Sequence, residues 1–452
     1  MSKSVVIIGG GFAGLSAGVR LSERGFSVLL LERSPRLGGR ACSFTDPLSG
    51  AVIDNGQHLF MRCYRHTISF LEKINSLDKL DFQRRPRVEF LDREHGFTSF
   101  DCPPLPAPAH IIAGLLRMKG IRLADKLGAA RIGRAINSNG STLEKKSVSE
   151  WLDSHGQSPA LKERFWHPLV VATLNEEPRI ASARMLRAVL REAFSDSGAA
   201  SIGLANVGLG DLYTDSARDF IRSRGGEVRT GCAARRFLIE QGRVISVELR
   251  GGGQIAADYF ISAIPPNRLL ELVPGELAEG ELAKLARLKS SPIVSINLWF
   301  DRPLMSREFV GMIGTRSHWL FNRDLILKQG KESNHLAVVI SAAREFTSWS
   351  KQRLVEMAVD EINELIPSSR AAVLTRSLVV KEREATISHT VESDLLRPGA
   401  RTSIENLLLA GDWTDTGLPA TIESAVISGH TAAGIICSLE ADKVQSSRRE
   451  RA

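Results

Sequence analysis

The first sustained apolar run of the chain, residues 5–8 (VVII), has no polar face, which predicts a strand buried on both sides. Gly9, Gly11 and Gly14 end that run and open a helical pattern over residues 13–24 that stops at Gly25. A second apolar stretch, residues 27–31, closes on Glu32. Strand, glycine turn, helix and strand in that order predict a βαβ unit on a parallel sheet. Near the other end the pattern returns. Residues 407–410 read as a buried strand, Gly411 and Asp412 as its turn, and residues 421–436 as a helix behind Pro419.

Between these ends the period changes. Residues 110–136 and 151–194 carry helical spacing, the second interrupted at Pro159, Pro168 and Pro178. Alternation over residues 90–100 around His95 and Gly96 predicts a hairpin, and the proline-rich 102–108 ends it. A helix near Leu212 leads into short strands at 227–230, 235–240, 243–249 and 259–263. Strands at 293–300 and 336–342, with a helix at 351–365, suit the sheet of a second domain. At 452 residues the chain exceeds one ordinary core. The fold class is therefore α/β, a Rossmann-like nucleotide-binding domain interleaved with an α+β substrate domain. Residues 1–101, 205–285 and 396–440 fall to the first, residues 102–204 and 286–395 to the second, and residues 441–452 to a disordered basic tail.

The glycines have separate tasks. Gly9 permits the turn, Gly11 removes a side chain that would block a pyrophosphate, and Gly14 lets helix and strand approach. Glu32 stands about 20 residues further on, where a carboxylate accepts hydrogen bonds from an adenosine ribose and repels a 2′-phosphate. In RSPRLGGR, residues 33–40, Gly38, Gly39 and Arg40 suit a loop folded over a phosphate, an exposed basic turn being the plainer reading. In DNGQH, residues 54–58, Gly56 permits close approach to a flat ring, while Asp54 and His58 are either proton donors or satisfied polar groups of a turn.

Composition narrows the rest. Hydrophobic residues are 43%, and no apolar run long enough to span a bilayer is expected. The first strand begins by about Ser4, leaving no room for a signal peptide, so a cytoplasmic location is expected. Cys42, Cys63, Cys102, Cys232 and Cys437 are scattered without C-x-x-C spacing, which argues against a disulfide framework and a zinc site; no metal is expected. The charge of +8 is dispersed and no nucleic-acid module is present, so nucleic acid is not an expected partner. Within residues 110–136, Ile111, Ile112, Leu115 and Leu116 precede Arg117, Lys119, Arg122, Lys126, Arg131 and Arg134. That segment suits peripheral contact with an anionic membrane, on the inner face of the cytoplasmic membrane, or the solvated face of a helical domain. FWHPLVVATLNEEP, residues 165–178, suits a core or a greasy pocket.

GGGFAG with Glu32, then LGGR, then AGD with PATIESA, resembles the flavin-dependent amine oxidase and phytoene desaturase superfamily over nearly the whole chain. More narrowly, DNGQHLF, WHPLVVATLN, VGLGDLY, NLWFDRP and GDWTDTGLPATIE resemble the hydroxysqualene dehydroxylase family of bacterial hopanoid synthesis. The resemblance implies FAD held by Gly9, Gly11, Phe12, Ala13, Gly14, Glu32 and Arg33, by Gly38, Gly39 and Arg40, and by Asn55, Gly56, Gln57 and His58. Ala234, Gly411, Asp412, Ala420, Thr421 and Ile422 complete the set, Asp412 binding ribitol hydroxyls and the last helix facing the ring. With TGLPAT where monoamine oxidases carry a cysteine, FAD is expected to be non-covalent. Where amine oxidases place a lysine, this chain offers Ser295. The implied reaction is reduction of hydroxysqualene, a hydrophobic isoprenoid, to squalene and water, with His58, Asp54 or Asp415 as the acid. A carotenoid or squalene desaturase is the enzymatic alternative, and a prenyl-binding carrier the non-enzymatic one.

Overall fold

The computed structural model describes residues 2–137, 143–280, 282–328 and 334–449. Five strands form one parallel sheet in the order Glu227–Arg229, Ser27–Leu31, Ser4–Ile8, Tyr259–Ser262 and Leu407–Leu409. Alternation decides what covers it. Val5 and Ile7 join Leu15, Val19, Leu212 and Val426, on the helices Phe12–Glu23, Leu209–Arg222 and Ile422–Arg449. Val6, Ile8 and Leu31 join Phe237 and Val247 of the small antiparallel sheet on the other face. A sheet buried on both sides needs the unbroken apolar strands seen in the sequence.

The second sheet has seven strands, ordered Leu374–Ile387, Ser290–Phe300, His335–Ile340, Trp319–Asn322, Phe309–Ile313, Arg87–Asp92 and Gly96–Asp101. One face packs Val294, Ile296 and Leu298 on Leu354, Ala358 and Ile362 of the helix Lys351–Leu365. The opposite face meets the helical region through Phe90, Phe309, Trp319 and Phe321, packed with Trp151, Phe165 and Leu174.

Three expectations change. The hairpin Arg87–Asp101 was assigned to the nucleotide domain, but its first strand pairs in parallel with Phe309–Ile313, so it extends the seven-stranded sheet. A partner more than 200 residues away leaves no local trace. The tail is not disordered through residue 449, because the last helix continues to Arg449 and is tied to the sheet by Tyr259 Oη donating to Glu440 Oε1 at 2.5 Å; residues 450–452 lie outside the described ones. Against expectation, that helix also holds a stretch, Ile422–Lys443, long and apolar enough to cross a membrane, its apolar pattern broken by Glu423, His430 and several serines. Its buried Val426, Ala432, Ala433 and Ile436 belong to the core, and Gly429 crosses the first helix so closely that an added Cβ would lie 2.2 Å from Ala13 O.

Candidate active site

The glycine turn is built by steric exclusion. Gly9 has φ +112°, and Cβ atoms at Gly9 and Gly14 would lie 2.5 Å from Ala263 O and 1.9 Å from Gly9 O. Gly11 is different, since a Cβ there meets nothing nearer than Gly38 O at 3.8 Å and Gly39 Cα at 4.0 Å. The loop of Gly38 and Gly39 therefore lies in contact with the turn, Gly38 N donating to Gly10 O at 2.8 Å, beside a helix start that no side chain caps. Backbone N–H groups there suit a pyrophosphate. Phe12 stacks on Tyr213 at 3.7 Å, and Tyr213 Oη donates to Gly38 O (2.9 Å) and Ala41 O (3.2 Å), which latches the second loop over the first helix. Ala13 is buried under the last helix.

The Glu32 carboxylate is buried and accepts from Gly10 N (2.8 Å) and Ser34 N (2.7 Å) beside the glycine turn. Its backbone carbonyl accepts from Cys232 N, which brings the strand opening at Ala234 alongside. Arg33 is exposed. Arg40 reaches away from the turn, pairing with Asp412 Oδ1 at 2.5 Å and donating to Ala385 O at 2.9 Å. Its own carbonyl accepts from Asn55 Nδ2 (3.2 Å), which also donates to Glu382 Oε2 (2.8 Å).

The final motif is held from beneath by residues the sequence did not single out. Arg397 donates to Asp412 O, Thr414 O and Leu418 O. His389, kept neutral by burial, accepts from Ala420 N at 2.6 Å. Gly411 takes φ +140° with its N–H on Ser428 Oγ, and Thr421 Oγ1 accepts from Ser424 N before the helix that begins at Ile422. Only the demand that a buried loop satisfy its backbone groups could have pointed to Arg397 and His389.

The three acid candidates separate. Asp54 accepts from Ser43 Oγ (2.7 Å), Leu209 N (2.9 Å) and Gln57 Nε2 (3.4 Å) and pairs with the buried Arg323 at 2.9 Å, so its oxygens are already taken up by donors of the protein itself. Arg323 also donates to Gln57 Oε1 at 2.6 Å and was missed because nothing local marks it. Asp415 is exposed and turned back to Gly417 N at 3.1 Å, so it does not enter a dry site. His58 remains. Its Nδ1 contacts Gly56 O at 2.7 Å, and burial holds its pKa below the ordinary value. The neutral ring donates from Nδ1 and leaves Nε2 as an acceptor.

Residues 12–437 match the family model described as flavin containing amine oxidoreductase. The chain belongs to that family. It is 30% identical over 455 residues to the hydroxysqualene dehydroxylase of Rhodopseudomonas palustris, covering 96% of this chain and 99% of the relative. It is 26% identical over 453 residues to the 15-cis-phytoene desaturase of Arabidopsis thaliana, covering 94% and 78%. Among solved structures, an oxidoreductase of Methanosarcina mazei shares the fold with TM-score 0.75 at 18% identity, over 94% of this chain and 99% of that one. The chain is thus an FAD-dependent oxidoreductase. The uncapped helix start at Gly11 and the buried Glu32 carboxylate fit the pyrophosphate and the ribose of FAD, and Asp412 lies at the turn before the last helix.

Proposed function

We propose that this flavoenzyme reduces hydroxysqualene to squalene and water. The observation that carries this reading is the end-to-end likeness to a hydroxysqualene dehydroxylase together with an intact FAD cradle. Reduced FAD supplies a hydride when bound. Overall, one proton and one hydride enter, the allylic C–O bond breaks, a C–H bond forms, and the oxygen leaves as water. The residues of the chain supply the proton and a dry enclosure in which the allylic cation meets no other nucleophile. His58, beside Gly56, is the group proposed to hold that proton over the substrate oxygen. With its pKa lowered, the protonated form is scarce at neutral pH and strongly acidic, so turnover rises as pH falls toward its folded value. His58→Ala should reduce the single-turnover rate per bound flavin by about 10² to 10⁴ while flavin content persists.

A substrate of this class dissolves in lipid. Leu105, Leu116, Leu123 and Leu127 are 42%, 44%, 62% and 56% exposed, with Arg117, Lys119 and Arg122 exposed among them. These residues support peripheral binding to an anionic bilayer as the route of substrate entry.

The reaction is tested by incubating anaerobically reduced holoenzyme with hydroxysqualene and following squalene. Formation of squalene is expected. No squalene, or new double bonds introduced into a hydrocarbon by oxidised holoenzyme, would transfer the chain to the desaturase reading that the phytoene desaturase relatives support.

A further inference from the structure

The outer surface of the nucleotide-binding domain holds two adjoining hollows, of about 510 and 450 Å³, with Arg20 and Arg24 in the wall of both. Arg401, Thr431 and Ser438 line the first. The second is closed by Arg65, His66 and Lys73 of the helix Arg65–Lys73 and by His430 of the last helix. Arg20 and His430 lie about 12 Å along their helices from the starts at Phe12 and Ile422, so the hollows stand apart from the flavin cradle.

The lining carries charge that the protein leaves unanswered. Lys73 pairs with Glu23, whereas the guanidinium groups of Arg20, Arg24, Arg65 and Arg401 have no acidic partner among the described residues. Four such forks around one shared space repel one another, and each matches the oxygens of a phosphate. Between them, His66 Nδ1 lies 3.3 Å from His430 Nδ1, so that one neutral ring donates to the other. Two nitrogens at that spacing would also suit a metal ion, but Arg20, Arg65 and Lys73 stand around them. The nearby carboxylates are taken as well, Glu23 by Lys73, and Glu423 by His66 N, Thr67 N and Thr67 Oγ1. The surroundings therefore favour an anion. Burial, with the charges of Arg20, His66 and Lys73 and against the pull of Glu23, pushes His430 down to about 4. An oxyanion in the second hollow works in the opposite direction, because it accepts from both Nδ1–H groups once both rings are protonated.

We propose that the two hollows form one binding site for a phosphate-bearing anion with two or more negative charges, held by Arg20, Arg24, Arg65 and Arg401 and by the His66–His430 pair. Arg20 and Arg24, common to both hollows, suit an anion that places one phosphate group in each. A soluble diphosphate and the headgroups of an acidic phospholipid share that chemistry. The site is independent of the reaction proposed above.

The test titrates flavin-loaded protein with inorganic pyrophosphate, and separately with phosphatidic acid vesicles against vesicles of phosphatidylcholine alone. Pyrophosphate binding that raises the melting temperature assigns a soluble anion, and binding to the phosphatidic acid vesicles alone assigns a lipid headgroup. Either is expected to weaken with added salt and to fall about tenfold in each of Arg20→Ala, Arg24→Ala and Arg401→Ala, with flavin content unchanged. Sulfate, doubly charged throughout, should bind more tightly at pH 5.5 than at pH 7.5, as the bound anion draws a proton onto His430. That rise should vanish when His66→Gln and His430→Gln are combined, while binding at pH 7.5 persists. Binding of neither probe, binding that the arginine variants leave intact, or a flat pH profile in wild type would overturn the site. Loss of flavin in the arginine variants would overturn it in favour of the cofactor. A melting temperature raised by zinc in wild type and not in the double glutamine variant would overturn it in favour of a metal pair.

Discussion

The two sheets of this molecule meet at the active site but are fixed there by different means. On the five-stranded side the cradle is made of backbone: positive φ at Gly9 and Gly411, close approach at Gly14 and Gly429, and carbonyls latched by Tyr213 and Arg397. On the seven-stranded side it is made of buried side chains from segments far apart in sequence, Arg323 on Asp54 and Gln57, and His335 on Asn297 and Trp299. Backbone fixed by glycine tolerates no added atom, whereas a buried polar network tolerates no lost partner.

The largest effect should come from breaking the second kind. Arg323 is 2% exposed and Asp54 6%, so Arg323→Ala strands a carboxylate in the interior. A loss of about 3–5 kcal/mol is expected, read as a lowered midpoint in urea unfolding. A loss below about 1 kcal/mol would mean that this side is not held by its side chains.

The first kind is probed by two glycines three residues apart. Gly14→Ala drives a methyl group to 1.9 Å from Gly9 O and should cost about 1–3 kcal/mol through overpacking. Gly11 has φ −88° and its Cβ would lie in ordinary contact with Gly38 O at 3.8 Å, so Gly11→Ala should cost less stability than Gly14→Ala and yet lower the FAD retained after gel filtration. If both variants unfold equally, or if Gly11→Ala keeps its full flavin, the turn at Gly11 is not the pyrophosphate site.

The same contrast explains what the sequence disclosed. The glycine turn and the final AGD motif were legible because each rests on residues within a few positions of one another, and Glu32 because it closes the same βαβ unit, 22 residues on from Gly10. The strand Leu374–Ile387 was not, since as an edge strand paired on one side only it carries Lys381, Glu382, Arg383 and Glu384, which hide the alternation. Arg323 and His389 were invisible for a related reason, in that each matters through a partner 266 or 31 residues away. Asp415 was misplaced because membership of a flavin-facing motif does not fix which way a turn residue points, and its own Asx-type bond to Gly417 N turns it outward.

A smaller effect is expected from acid. Burial, aided by the Arg323 charge, pushes His335 down to about 3, so the folded protein carries it neutral while the unfolded chain takes up a proton near the ordinary value of 6.5. Stability from this group is therefore intact above pH 6.5 and is lost as pH falls toward 3, by at most about 1.4 kcal/mol per pH unit. In His335→Gln the amide can still donate to Asn297 Oδ1, and the fall in melting temperature between pH 6.5 and 4.5 should be shallower than in wild type. An unchanged slope would place the acid sensitivity elsewhere.

The smallest effect per residue belongs to the surface at the outer edge of the helical region, farthest from both kinds of constraint. In the proposed membrane contact the four exposed leucines enter the headgroup layer and the neighbouring cations hold the helices there. Arg117 is the least free of these, because its guanidinium also donates to Asp101 O at 3.2 Å. Each of Arg117, Lys119 and Arg122 should contribute about 1 kcal/mol of attraction to a phosphatidylserine-rich vesicle at low salt. Triple reversal to glutamate should accordingly weaken co-sedimentation with such vesicles strongly at low ionic strength and less as added salt shortens the Debye length. Leu123→Ser with Leu127→Ser should weaken binding by an amount that salt does not change, because apolar insertion is not screened. Vesicle binding that survives both sets of changes would leave this face as an ordinary solvated helix surface, with the substrate entering elsewhere.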